Sequence, residues 1–138
     1  MSIHSVYNKP VVKVLYRQRE VVFLKVIVSV IFRRGIMIKI MLACSAGMST
    51  SLLVTKMESA AKEEGLEVKI WAISEVNLAN EITKCDVLLL GPQVRYILSK
   101  ATKLGEPHGI PVEVINMMQY GRCDGKAVLK QAMDLINK

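Results

Sequence analysis

Cysteine is scarce in this chain: only Cys44, Cys85 and Cys123 occur among 138 residues. Three is too few, and odd, for the disulfide framework of a small secreted domain, and no Cys-x-x-Cys or Cys/His spacing is present to hold zinc or run dithiol chemistry. A reducing compartment is the expectation, with no metal and no cofactor. Long apolar runs are missing too. The nearest, Val21 to Phe32, is twelve residues long and interrupted by Lys25, whereas spanning a bilayer takes about 20 apolar residues. A secretory signal fits poorly, because no small-residue cleavage pattern follows Phe32. No Lys follows Gly47 until Lys56, which removes the nucleotide-binding P-loop, and no Gly-rich dinucleotide fingerprint occurs. Internal repeats and low-complexity tracts are absent as well.

The basic balance is unevenly placed. Of the net charge of +7, residues 1–36 hold +6, from seven Lys/Arg against one Glu, and the remaining 102 residues hold twelve against eleven. A charge confined to one terminus says nothing about the surface of a folded domain, so nucleic acid is not an expected partner. Residues 1–36 read as a basic N-terminal extension, disordered or the product of a misplaced start codon, since Met37 itself can open a complete domain. A basic membrane-surface segment and an added edge strand are the competing readings, because β-branched residues dominate the run. With 51% hydrophobic residues, the chain fills one core, and residues 37–138 are taken as that single domain.

From Met37 onward, apolar runs alternate with segments of helical period. "IKIMLA" predicts strand one. Ser49 to Glu64 predicts a helix with Leu52, Leu53, Met57, Ala60 and Ala61 on its inner face and Gly65 as its left-handed stop. "LEVKIWAI" predicts strand two, a short helix follows over 77–84, and "DVLLLGP" predicts a strand covered on both faces. A helix over 94–104, with Val94, Ile97, Leu98, Ala101 and Leu104 aligned, leads to "VEVI" as strand four, and a last helix runs over 124–137. Four strands alternating with four helices imply a parallel sheet with helices on both faces. In a sheet of order 2-1-3-4, ligands bind where the order reverses, between the loops after strands one and three.

Cys44 stands at the first of those loops, followed by Ser45, Ala46, Gly47, Met48, Ser49, Thr50 and Ser51. Ala46 and Gly47 permit a tight turn in which successive N–H groups converge, and the N-terminus of the following helix adds positive potential. Such a cradle holds a phosphoryl group, and the same field favours Cys44 as a thiolate nucleophile. A phosphocysteine is the chemistry suggested. The plainer readings are a buried, inert Cys44 and ordinary N-capping by Ser49, Thr50 or Ser51.

The second loop, "GPQVRY", offers Gln93, Arg95 and Tyr96 as residues that flank the phosphate or contact a partner. Cys85 and Trp71 read as core, Cys123 as an incidental thiol, and Asp124 as an N-cap. His4 and His108 fall in expected loops, and neither is marked as a phosphorylated residue. The eight methionines are mostly packing, with Met48 in the loop as a docking contact, and an apolar rim around Cys44 fits transient docking.

Two other functions compete. A cysteine phosphatase or arsenate-reductase-like thiol enzyme needs an arginine six residues after the nucleophile to clamp the transferring group, and here that position is Thr50. A non-catalytic anion sensor would tolerate Cys44→Ser. Hydrolysis is poorly served by these residues; holding and passing on a phosphoryl group is well served.

"CSAGMSTSLLV", "DVLLLGPQVRYIL", "PVEVI" and "YGRCDGKAVL" together resemble the enzyme IIB components of the bacterial sugar phosphotransferase system, lactose/cellobiose (chitobiose) type. The resemblance covers Met37 to Lys138 and leaves residues 1–36 unmatched. It implies a three-layer αβα fold with a four-stranded parallel sheet of order 2-1-3-4, similar to low-molecular-weight tyrosine phosphatases. It further implies a cytoplasmic phosphocarrier, peripheral to the membrane through its partner. Cys44 would accept a phosphoryl group from a histidine of the IIA component and give it to sugar bound in the membrane IIC component, with Ser45 to Ser51 as the cradle. A carrier that meets two partners by one face would work as a monomer.

Overall fold

The computed structural model describes residues 37–46 and 50–138. The readings made for residues 1–36, and for Gly47, Met48 and Ser49 within the loop, lie outside the described residues.

Strand β1 (Ile38–Cys44) shows the alternation its sequence demands. Ile38, Ile40 and Leu42 enter one apolar cluster, while Met41 and Ala43 enter another, as a strand buried on both faces requires. It sits at the centre of the sheet, paired in parallel with β2 (Val68–Ser74) and with β3 (Val87–Leu90); β4 (Val112–Val114) then pairs with β3. The order is 2-1-3-4, the one expected from the sequence. Ile40 lies opposite both Ile70 and Val87, so the register brings apolar side chains into rows across the sheet.

Two layers of helix cover it. On one face lie α1 (Ser51–Glu63) and the last helix, α5 (Gly125–Ile136). Their Leu53, Met57, Ala60, Ala61, Val128, Leu129 and Ala132 pack with Ile40, Leu42, Val87 and Leu89. Each large side chain buried this fully is worth about 1.5–3 kcal/mol relative to exposure. On the other face lie α2 (Leu78–Glu81), flanked by 3₁₀ turns, and α3 (Leu98–Gly105), contributing Leu78, Ile82 and Ala101 against Met41, Leu88 and Leu90.

Helix ends follow local chemistry. Gly65, at φ +69°, closes α1, with the Leu66 amide donating to Ala61 O at 2.9 Å. Asp124 caps α5 as expected, its Oδ1 accepting from the Ala127 amide at 3.0 Å. Gly125 then passes so close to α1 that a Cβ there would run into the Lys56 backbone.

Several expectations are corrected. Helix α1 begins at Ser51, and Leu52 is exposed at 57%, turned away from the face formed by Leu53 and Met57. The segment expected as one helix over 94–104 is broken. A 3₁₀ stretch, Pro92–Ile97, has Val94 out of helical conformation at φ −114°, ψ 20°, and α3 starts only at Leu98, which is exposed. Pro92 takes the first position of that 3₁₀ stretch, where its missing N–H forfeits no helical bond, and the break itself falls at Val94. A fifth helical segment, α4 (Met117–Gly121), was not anticipated; Asn116 caps it by accepting from the Met118 and Gln119 amides. Trp71 is half-buried rather than fully core, packed on the second cluster with Lys69 Nζ 5.2 Å from its ring centre.

Candidate functional site

In a parallel sheet every strand delivers its following loop to the same edge, and the centre of that edge here is the end of β1. Cys44 is the last residue of that strand, opposite Ser74 of β2, and it is fully buried. By the strand's alternation its side chain belongs to the α1 side.

Thr50 comes back to it from the start of α1. The Thr50 side chain is also fully buried, and its Oγ1 lies 3.7 Å from Cys44 Sγ, within hydrogen-bond reach for sulfur. Thr50 stands at the N-cap of α1 but makes no side-chain cap bond; its hydroxyl faces the sulfur instead. The plain capping reading is therefore corrected for this residue. Ser51 is the first helical residue and is exposed, as are Ser45 and Ala46 at the other end of the loop.

Neighbouring strands fix the loop's two flanks. On the β2 side, Ser74 Oγ donates to Ser45 O at 3.0 Å. On the β3 side, the Gly91 amide donates to Ala43 O at 2.9 Å, extending the ladder one step past β3 and holding the glycine against the end of β1. Tyr96, from the loop after β3, donates its hydroxyl to both carboxylate oxygens of Glu75 after β2, at 2.5 and 2.6 Å. That bond joins the loops on either side of β1, and its acceptor raises the Tyr96 phenol above its ordinary range. Gln93 and Arg95 are exposed on the same loop as Tyr96.

Serine 74 and Glu75 were not singled out from the sequence. Their signal was positional: both leave the carboxyl end of the strand next to β1, where a polar side chain can reach the loop. Exposed apolar side chains also follow each strand in the chain. Leu52, Val76, Tyr96, Leu98, Met117 and Met118 all lie in segments that leave strand carboxyl ends.

The other two cysteines stand apart from this arrangement. Cys85 is buried before β3, donates its thiol to Ile82 O at 3.2 Å, and burial pushes its pKa up to about 12. A thiol held in that form is no nucleophile, in keeping with a structural role. Cys123 is half-buried between α4 and α5 with φ +50°. Among the described residues, no group of three His, Cys, Asp or Glu could hold a metal ion, and no helix is long and apolar enough to cross a membrane.

Comparison with known proteins gives a consistent set of similarities. Residues 39–131 match the family model described as "PTS system, Lactose/Cellobiose specific IIB subunit". The chain is 47% identical over 98 residues to the PTS oligo-beta-mannoside-specific EIIB component of Bacillus subtilis (strain 168), covering 71% of this chain and 95% of that protein. It is 46% identical over 103 residues to the PTS cellobiose-specific EIIB component of Lactococcus lactis subsp. lactis (strain IL1403), with the same 71% and 95% coverage. The solution structure of a cellobiose-specific phosphotransferase IIB component from Borrelia burgdorferi aligns with a TM-score of 0.62 at 40% identity, over 73% of this chain and 93% of that one. A lactose-specific IIB domain from Streptococcus pneumoniae aligns at 0.67 with 17% identity, over 72% and 98%, a likeness of fold.

Proposed function

Since the chain belongs to the lactose/cellobiose-specific IIB family of the phosphotransferase system, whose members are sugar-phosphotransfer components, we propose that it is a phosphoryl carrier with Cys44 as the acceptor. The observation that carries this reading is the Thr50 hydroxyl at 3.7 Å from Cys44 Sγ, at the end of the central strand.

The chemistry has two halves. In the first, the Cys44 thiolate attacks phosphorus on a IIA phosphohistidine; the S–P bond forms as the P–N bond breaks, and the electron pair returns to the imidazole. In the second, a hydroxyl of a disaccharide bound by the membrane IIC component attacks phosphorus. The S–P bond breaks, sulfur leaves as thiolate, and the hydroxyl proton goes to a base on the IIC side. Thiolate is thus the starting and the departing form of Cys44 in the two halves. A hydroxyl that donates to sulfur favours that form, and the N-terminus of α1 adds its dipole. Ser45, Ala46, Gly47, Met48, Ser49 and Ser51 complete the cradle around the phosphoryl group in this reading.

Residues 37–138 form the carrier unit and residues 1–36 an extension to it. The exposed apolar side chains in the segments that follow the strands suit brief docking on two partners in turn. The sugar belongs to the cellobiose, lactose and chitobiose class, and the site of action is the cytoplasmic face of the membrane.

The test is intact mass of the protein and of Cys44→Ser after incubation with phosphoenolpyruvate, the general phosphotransfer proteins and a matching IIA component. A gain of one phosphoryl group, lost in the variant, is expected. No gain with a donor shown to be competent, or steady release of free phosphate by this chain alone, overturns the reading.

A further inference from the structure

Gly91 is a glycine whose backbone does not ask for one. Its φ of −58° and ψ of 147° are open to any residue. What it provides is space. A Cβ built at Gly91 would stand 3.0 Å from Gln93 Oε1, against 3.5 Å from Ala43 O and 3.7 Å from Cys44 Cβ. The last two are ordinary contacts; only the Gln93 amide would have to move. The Gln93 side chain therefore folds back over Gly91, toward the end of β1, and its amide and the Cys44 Cβ border the same small notch. Gln93 is exposed, and its amide makes no hydrogen bond among the described residues.

From this geometry we infer that the Gln93 side-chain amide is a phosphoryl-contacting donor, closing the β3 side of the Cys44 site. The inference rests on the phosphocarrier reading. A terminal amide rotates to present Nε2, whose two N–H groups can reach oxygens of a group attached to Cys44. No proton is exchanged; the amide N–H groups only donate hydrogen bonds, which the phosphoryl oxygens accept. The choice of a neutral donor has a chemical reason. A guanidinium forms a bidentate, charge-assisted pair with phosphate and holds it tightly. A carboxamide stabilises the group enough to orient it while leaving it free to move on, as a carrier requires.

The experiment is a double-mutant cycle on the full chain. Phosphoryl occupancy of Cys44 at equilibrium with phosphorylated IIA is read by intact mass for the unsubstituted protein, Gln93→Ala, Gly91→Ala and the double variant, with thermal midpoints checked for folding. Loss of one donor to a charged acceptor should lower the transfer equilibrium constant about tenfold in Gln93→Ala. Gly91→Ala should lower it comparably, by displacing the amide, and should add little in the Gln93→Ala background. An unchanged constant in Gln93→Ala overturns the inference. An equal loss from Gly91→Ala in both backgrounds also overturns it, since the methyl then acts without Gln93. If the unsubstituted chain takes up no phosphoryl group, the carrier reading itself fails and the role of Gln93 fails with it.

Discussion

Thr50 Oγ1 stands 3.7 Å from Cys44 Sγ, both side chains fully buried, at the point where the central strand hands over to α1. The pair is close in sequence, yet their approach depends on the whole loop returning to the strand it left.

The variant Thr50→Val keeps the shape and removes the hydroxyl. Because that hydroxyl caps nothing, the helix should lose little, and the stability change should stay within about 1 kcal/mol by urea titration. Phosphorylation of Cys44 should slow by about tenfold, the worth of one hydrogen bond to a charged group. Unimpaired phosphorylation in quenched-flow mass measurements would remove Thr50 from the site.

Gly125 and Gly121 make a matched pair. A methyl at Gly125 meets the Lys56 backbone where α5 crosses α1, while one at Gly121 meets open space. Gly125→Ala should cost about 1–3 kcal/mol through overpacking. Gly121→Ala should be neutral or stabilise by up to about 1 kcal/mol. Denaturant midpoints of the two variants decide this.

Cys123 is a non-glycine residue at φ +50°. Cys123→Gly relieves that backbone cost, offset in part by greater freedom of the unfolded chain, so a gain on the order of 0.5 kcal/mol is expected. A lower thermal midpoint would show that the Cys123 side chain contributes packing larger than the strain.

Cys85 predicts a pH dependence. Its thiol ordinarily ionises near 9.0 and in the folded protein near about 12. Between those values the unfolded chain has released the proton and the folded chain still holds it. Stability is therefore complete below about pH 9 and falls as pH rises toward 12. Cys85→Ala should flatten that part of the stability curve relative to the unsubstituted protein, and iodoacetamide should label Cys85 only slowly at neutral pH. Parallel curves for the two proteins would contradict the assignment.

How much of this was legible in the sequence depends on the range of the interaction. The period of two in "IKIMLA" and the helical spacing of Leu53, Met57, Ala60 and Ala61 are local patterns, and they located β1, α1 and the buried faces. Leu52 and Leu98 were placed on inner faces by the same rule, but both fall in the first turn, Leu52 second in α1 and Leu98 first in α3. In a helix's first turn the preceding turn that would complete the apolar stripe does not yet exist. Segment α4 escaped because five residues carry too little period to read, and its Met117 and Met118 are apolar residues left exposed.

The sequence alone determined the alternating parallel architecture, the position of Cys44 at a strand end and the polar loop after it, because each follows from residue spacing along a few turns of chain. Only the tertiary structure decided that Thr50 turns to the sulfur rather than to its helix, that Ser74 holds Ser45, that Tyr96 reaches Glu75, and that Gln93 folds over Gly91. Most of these relations cross from one strand's loop to another's, or settle a choice between two hydrogen-bond partners. Both depend on which strands lie side by side, and that is fixed by the packing of the whole sheet.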